Sequence, residues 1–301
     1  MNKNRVQFLI LSFMALVVPA YAVDLQNISP ETDLTALLYQ DENYLIDTFE
    51  SGRLDSRNLT EITPHLDYIC RNLALGLSAR GEYEKASEVL ELVPSESLSR
   101  ESAILRIFIL CRLSDYDSAI EYLNELRVRY PDDVTLDNAM AYILGISGYP
   151  NEAKRIQKRV MKLAGDHAPS QDTWGVILTF EGDLKQAEWY LKKAYDSLPD
   201  DAEVQIHLAR VYSELGRKND AQDLYQQAVS TDPFFGPGQK EYARILMDLG
   251  RYQEAAGVIR KAIRLMPEDP DLIEWEQEVD SILLSWHVKQ EEEAKRPHLT
   301  R

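Results

Sequence analysis

The chain has 301 residues, enough for one elongated domain or two compact ones. Apolar residues make up 45% and charged residues 28%, so a core can be buried and the chain is not disordered as a whole. The 33 Lys and Arg against 50 Asp and Glu give a net charge of −17, which disfavours nucleic acid and anionic lipid; two cysteines cannot form a disulfide scaffold, and five scattered histidines offer no metal spacing.

Residues 1–22 open with Lys3 and Arg5 and continue with an apolar run from Val6 to Val18 that Pro19 breaks. Ala20-Tyr21-Ala22 then places small residues at the first and third positions before a cut. This is the pattern of a secretory signal peptide, with cleavage expected after Ala22. The run is shorter than the roughly 20 apolar residues of a bilayer-spanning helix, so no stable membrane insertion is expected after cleavage. Loss of Lys3 and Arg5 takes the net charge from −17 to −19. The expectation is an exported acidic protein, located in a bacterial periplasm. Residues 23–66, with Leu34, Leu37, Leu38, Leu45, Ile46 and Phe49, are expected to form N-terminal capping helices or a degenerate repeat.

Beyond this point the sequence is periodic. Ala119, Ala153, Ala187, Ala221 and Ala255 stand 34 residues apart, and Ala86 precedes the first by 33. Five residues before each alanine stands a small turn residue: Gly81, Ser114, Gly148, Gly182, Gly216 and Gly250. Twelve residues after it comes Pro131, Pro199, Pro233 or Pro267, with Gly165 in the third period. The glycines permit a positive φ at a turn, and the prolines end a helix. Three marks kept in step over six periods make the chain a repeat array.

The pattern resembles the tetratricopeptide repeat, a 34-residue helix–turn–helix unit. In the fourth period Trp174-Gly175, Leu178, Gly182-Asp183-Leu184, Ala187, Leu191, Ala194 and Pro199 stand at the family's marked positions. In the sixth the matching residues are Tyr242-Ala243, Leu246, Gly250-Arg251-Tyr252, Ala255, Ile259, Ala262 and Pro267. The resemblance implies an all-α, right-handed α-solenoid with units at 67–99, 100–133, 134–167, 168–201, 202–235 and 236–269. Residues 270–301 then supply a C-terminal capping helix and a charged tail that frays from Glu291. Gln171, Gln205 and Gln239 replace the family's early tryptophan. Pro150 and Gln157 replace usual apolar residues, making the third unit the expected loose spot.

Signals for chemistry are sparse. No phosphate loop, nucleophile elbow or His-Glu-x-x-His stretch is present. Gly236-Pro237-Gly238 lacks the preceding strand that a phosphate loop requires. His207 is expected to be a polar residue facing a groove. Neither catalytic residue, metal nor cofactor is expected, and the chain is not expected to be an enzyme. Cys70 and Cys111 are offset by eight residues along neighbouring first helices, about 12 Å at 1.5 Å per residue, so two free, mostly buried thiols are expected.

In the family, the first helices line a concave groove. Carried over by position, this groove holds an apolar stretch of Phe108, Tyr142, Ile146, Val176 and Phe180. Ile206 and a basic patch of Arg210, Lys240 and Arg244 follow. The resemblance implies a protein or peptide segment as partner, its apolar side chains against the first set and a carboxylate against the second. Two alternatives stand beside this: Phe108 and Tyr142 half-buried between helices, and Glu203, Glu214 or Asp248 pairing with the arginines. Exported proteins of this type serve polysaccharide export, pilus or secretion assembly, or control of a periplasmic hydrolase or protease. A scaffold or assembly factor is the leading expectation, with a regulatory adaptor as alternative.

Overall fold

The computed structural model describes residues 66–295, with side chains to 291. The expected signal peptide, nearly all of the N-terminal capping segment and residues 296–301 lie outside the described residues. Every regular element among the described residues is helical, and helices alternate in pairs with the period of the sequence. The fold class is an all-α solenoid of paired helical repeats. The chain divides into two compact units between Glu181 and Gly182.

The first unit contains α1 (Leu66–Ala79), α2 (Tyr83–Glu91), α3 (Arg100–Arg112), α4 (Tyr116–Arg129), α5 (Val134–Ile146), α6 (Pro150–Ala164) and α7 (Ala168–Phe180). The second contains α8 (Leu184–Ser197), α9 (Ala202–Glu214), α10 (Lys218–Thr231), α11 (Gly236–Asp248), α12 (Tyr252–Leu265) and α13 (Pro270–Lys295).

The periodic marks act as predicted. Gly81, Gly148, Gly182, Gly216 and Gly250 all have φ between 72° and 88°, and Ser114 adopts φ 59° at the equivalent turn. Ala86, Ala119 and Ala153 in the first unit are fully buried, as are Ala187, Ala221 and Ala255 in the second. A methyl at these points lets helices approach closely where a larger side chain would separate them. Four second helices end two residues before their proline. The intervening Tyr130, Leu198, Asp232 and Met266 turn to φ between −121° and −139°, out of the helical region that a following proline disfavours.

The glutamines that replace the family's tryptophan have a shared task that the sequence did not disclose. Each is buried and donates its side-chain N–H to a carbonyl six residues back: Gln171 to Gly165 at 3.0 Å, Gln205 to Pro199 at 2.6 Å and Gln239 to Pro233 at 3.2 Å. Each bond clamps the turn between one second helix and the next first helix. Acidic N-caps add local definition. Asp133 accepts from the N–H of Thr135 and Leu136, Asp201 from Glu203 and Val204, and Asp269 from Leu272.

Two expectations are corrected here. Pro150 does not disturb the third period, because it is the first residue of α6, where its missing N–H costs no intrahelical bond. Glu291 and the two residues after it do not begin a frayed tail: α13 continues to Lys295.

Candidate partner-binding site

In the first unit the candidate residues divide by accessibility. Phe108 on α3 and Val176 on α7 are buried, so they are packing residues rather than surface ones. Phe108 meets the Tyr83 ring of α2 edge-on at 6.3 Å, and the Arg112 guanidinium lies over it at 4.9 Å. Tyr142 and Ile146 on α5 are half-buried. Phe180, at the end of α7, is 50% exposed and is the most accessible member of the set.

Beside this stretch lies a polar network. Gln157 of α6 is fully buried and donates to the side-chain oxygen of Asn138 at 2.8 Å and to the Ser170 carbonyl at 3.0 Å. Asn138 in turn donates to the Thr173 hydroxyl at 3.1 Å. The supposed loose spot is thus a hydrogen-bonded link among α5, α6 and α7, although the Gln157 Oε1 atom has no hydrogen-bond partner. Nearby, Arg127 of α4 donates to buried Asp137 of α5 at 2.8 Å. Arg159 of α6 lies 3.5 Å from the same carboxylate. The sequence marked only Gln157, as a polar residue where an apolar one is usual; its partners Asn138 and Ser170 carried no signal of their own.

In the second unit Ile206 is buried, and its Cδ1 stands 2.7 Å from where a side chain on Gly238 would begin. A Cβ on Gly236 would likewise stand 2.9 Å from Met266. Gly236-Pro237-Gly238 is therefore a close-packing device at the start of α11. His207 is buried as well, not groove-facing.

The basic residues are paired, with partners other than those the sequence suggested. Arg244 donates to Glu241 at 2.7 Å, while Arg210 reaches the same carboxylate only at 3.5 Å. Beneath them fully buried Tyr225 of α10 places its hydroxyl 3.3 Å from Glu241. Burial, and then the Glu241 charge, raises the Tyr225 phenol above its ordinary range. Lys240 donates to Asp269 at 2.9 Å and Asp271 at 2.6 Å, and lies 5.6 Å from the Trp275 ring centroid. Partial burial pulls the Lys240 ammonium down, but its bonds to Asp271 and Asp269 more than offset this and hold it above its usual range. Partial burial also raises Asp269, yet Lys240 and the Leu272 N–H carry its carboxyl below the usual range.

Elsewhere, Cys70 and Cys111 are free thiols, the first buried and the second half-buried. Burial, and then the nearby Asp67, push Cys70 up to about 12, so it is a protonated packing residue at neutral pH. Among the described residues no group of three or more His, Cys, Asp or Glu side chains is placed to hold a metal ion.

Family models described as Tetratricopeptide repeat match residues 180–244 and 242–273. The matched residues, 180–273, are thus similar to tetratricopeptide repeats, and the helix pairs before them share the same fold. Among solved structures, the fold of the chain is similar to that of TTC0263, a thermophilic tetratricopeptide-repeat protein of Thermus thermophilus. The identity is 21% and the TM-score 0.50, over 62% of this chain and 100% of that one. It is also similar to a chain of the APC/C hetero-tetramer Cut9-Hcn1, with 12% identity and a TM-score of 0.56, over 91% of this chain and 52% of that one. Both likenesses concern the fold. Tetratricopeptide-repeat folds are typically non-catalytic protein–protein interaction modules.

Proposed function

We propose that this chain is a tetratricopeptide-repeat protein acting as a non-enzymatic periplasmic scaffold or assembly factor for a cell-envelope machine of the polysaccharide-export, pilus or secretion type. It holds a segment of a partner protein against its first helices. Residues 1–22, with their leader pattern, support the export step, and the repeat fold supports the interaction role. The partner-facing residues are Tyr142, Ile146 and Phe180 in the first unit and Arg210, Lys240 and Arg244 in the second. Phe108, Val176 and Ile206 shape the surface from beneath.

The observation that carries the reading is the sharing of Glu241. One carboxylate serves two guanidiniums, and Arg210 is held only at 3.5 Å. The trio keeps a net positive charge within a chain of −17, and a partner carboxylate would complete it. The test is affinity capture from the periplasm with wild type beside an Arg210→Glu, Arg244→Glu variant, both checked by circular dichroism. Capture of a defined envelope protein by wild type, and its loss in the variant, is the expected result. Equal capture by both moves the binding face elsewhere, and an empty capture removes the scaffold role.

A further inference from the structure

The last helix is longer than the surface it packs on. α13 has 26 residues and α12 has 14, about 39 Å against about 21 Å at 1.5 Å per residue. They run antiparallel: Arg260 of α12 donates to Asp280 at 3.0 Å and lies 3.5 Å from Glu276, while Tyr252 at the start of α12 meets Trp286 at 5.6 Å. Nine residues of α13 follow Trp286, beyond the end of α12.

Leu272 and Val279 are the fully buried positions of α13. At 3.6 residues per turn, Ile273, Leu284 and Val288 fall on the opposite side, where they are 44%, 66% and 46% exposed. Trp286 is 44% exposed despite its contact with Tyr252. Ile282, Leu283 and Trp286 fall on the same side as Leu272 and Val279, whereas Leu284 and Val288 point away from it. Apolar residues on two sides belong to a helix covered on two sides, and α12 covers one. Acidic residues frame this window. Arg260 engages Glu276 and Asp280, whereas Glu274 and Glu278 stand exposed on the outer flank. Glu291 follows on the far end, 3.2 Å from the His287 ring nitrogen, and the sequence continues with two more glutamates.

We propose that the outer side of α13, from Ile273 to Glu291, is a second docking surface, and that its occupant is a basic amphipathic helix of another protein. Aliphatic side chains at i, i+4 spacing cover Leu284 and Val288, and Lys or Arg at the two ends meet Glu274, Glu278 and Glu291. A second copy of this chain fits poorly. An antiparallel self-pair centred between Leu284 and Ser285 opposes Glu278 of one copy to Glu291 of the other, and a parallel pair aligns like with like. The surface is independent of the Arg210–Glu241–Arg244 trio.

The test uses the full chain and two labelled synthetic peptides of about 14 residues, one of Leu and Lys in amphipathic register and one of Leu and Glu in the same register. Fluorescence anisotropy is read at two salt concentrations. The Leu/Lys peptide is expected to bind, at least tenfold more weakly to a Leu284→Gln, Val288→Gln variant. A Glu274→Gln, Glu278→Gln variant loses affinity and salt dependence. Neutralising Glu121 and Glu125 on α4, and the Arg210→Glu, Arg244→Glu pair, leave binding unchanged, which separates this surface from the one proposed above. The proposal is overturned if the peptide fails to bind wild type, if the α13 variants bind like wild type, or if the Leu/Glu peptide binds equally. It is also overturned if wild type sediments as a dimer that Leu284→Gln, Val288→Gln converts to a monomer, since the occupant is then a second copy.

Discussion

Four residues after the small alanine of every second helix stands a side chain enclosed completely by its neighbours. In the first unit these are Leu90, Leu123 and Gln157; in the second they are Leu191, Tyr225 and Ile259. Gln157 and Tyr225 bring a polar atom to the same place and solve the problem differently. The glutamine satisfies its N–H groups inside the core and leaves its Oε1 atom without a partner. The tyrosine fills the space with its ring and carries its hydroxyl outward to half-buried Glu241. At this position the first unit leaves a buried polar atom unpaired, and the second couples its core to a charged surface cluster. Equivalent backbone positions fix the volume available but not how a polar tip is accommodated.

The largest effect that sharpens this contrast is Tyr225→Ala, which should cost about 4 kcal/mol through the cavity left by the ring, read as a lower urea midpoint. Tyr225→Phe keeps the ring and removes only the hydroxyl, for a loss of about 1 kcal/mol at neutral pH. It should also change the pH profile. The native state raises the Tyr225 phenol above its ordinary 10.0, so this group's contribution to stability is full below pH 10 and falls as the pH rises further. Urea midpoints measured from pH 8 to 11 should decline less steeply in Tyr225→Phe than in wild type. An unchanged slope would mean that neither burial nor Glu241 shifts the phenol in the folded state.

Gln157→Leu should act in the other direction. It removes the orphaned oxygen at nearly constant volume, and half-buried Asn138 can turn its released oxygen to water. A gain of about 1 kcal/mol is expected, independent of pH because no titratable group is involved. A loss of stability instead would mean that the link among α5, α6 and α7 outweighs the orphaned atom. The smallest effect concerns the turns. Ser114 occupies with φ 59° a place that glycine fills in the other five periods. Ser114→Gly should gain about 0.5–1 kcal/mol by relieving the left-handed conformation, seen as a rise in Tm.

The helix pairs were legible because the positions that define them tolerate few residue types. A methyl between helices, a positive φ at a turn and a ring that stops a helix each demand a narrow choice, and Ala187, Gly216 and Pro233 declare it. The candidate site was legible only as a set of positions. Side chains at groove positions can turn inward or outward, and the choice depends on neighbours about 30 residues away. Phe108 turns in against Tyr83, and Arg210 finds Glu241 rather than Glu203, Glu214 or Asp248. The glutamine clamps were hidden for the same reason. Gln171, Gln205 and Gln239 read as missing tryptophans until the carbonyls they reach are seen.

Those clamps also bear on how such an array can grow by duplication. A bond that always spans six residues fixes the length of the connection it crosses, so inserting or deleting even one residue between Pro199 and Gln205, or between Pro233 and Gln239, breaks it. The glycine turn inside each pair carries a tether of its own, a backbone N–H bonded to a carbonyl five residues back, as from Arg217 to Tyr212 and from Arg251 to Leu246, each at 2.8 Å. Both kinds of connection therefore have a fixed length, and pieces of this chain are interchangeable only as whole periods.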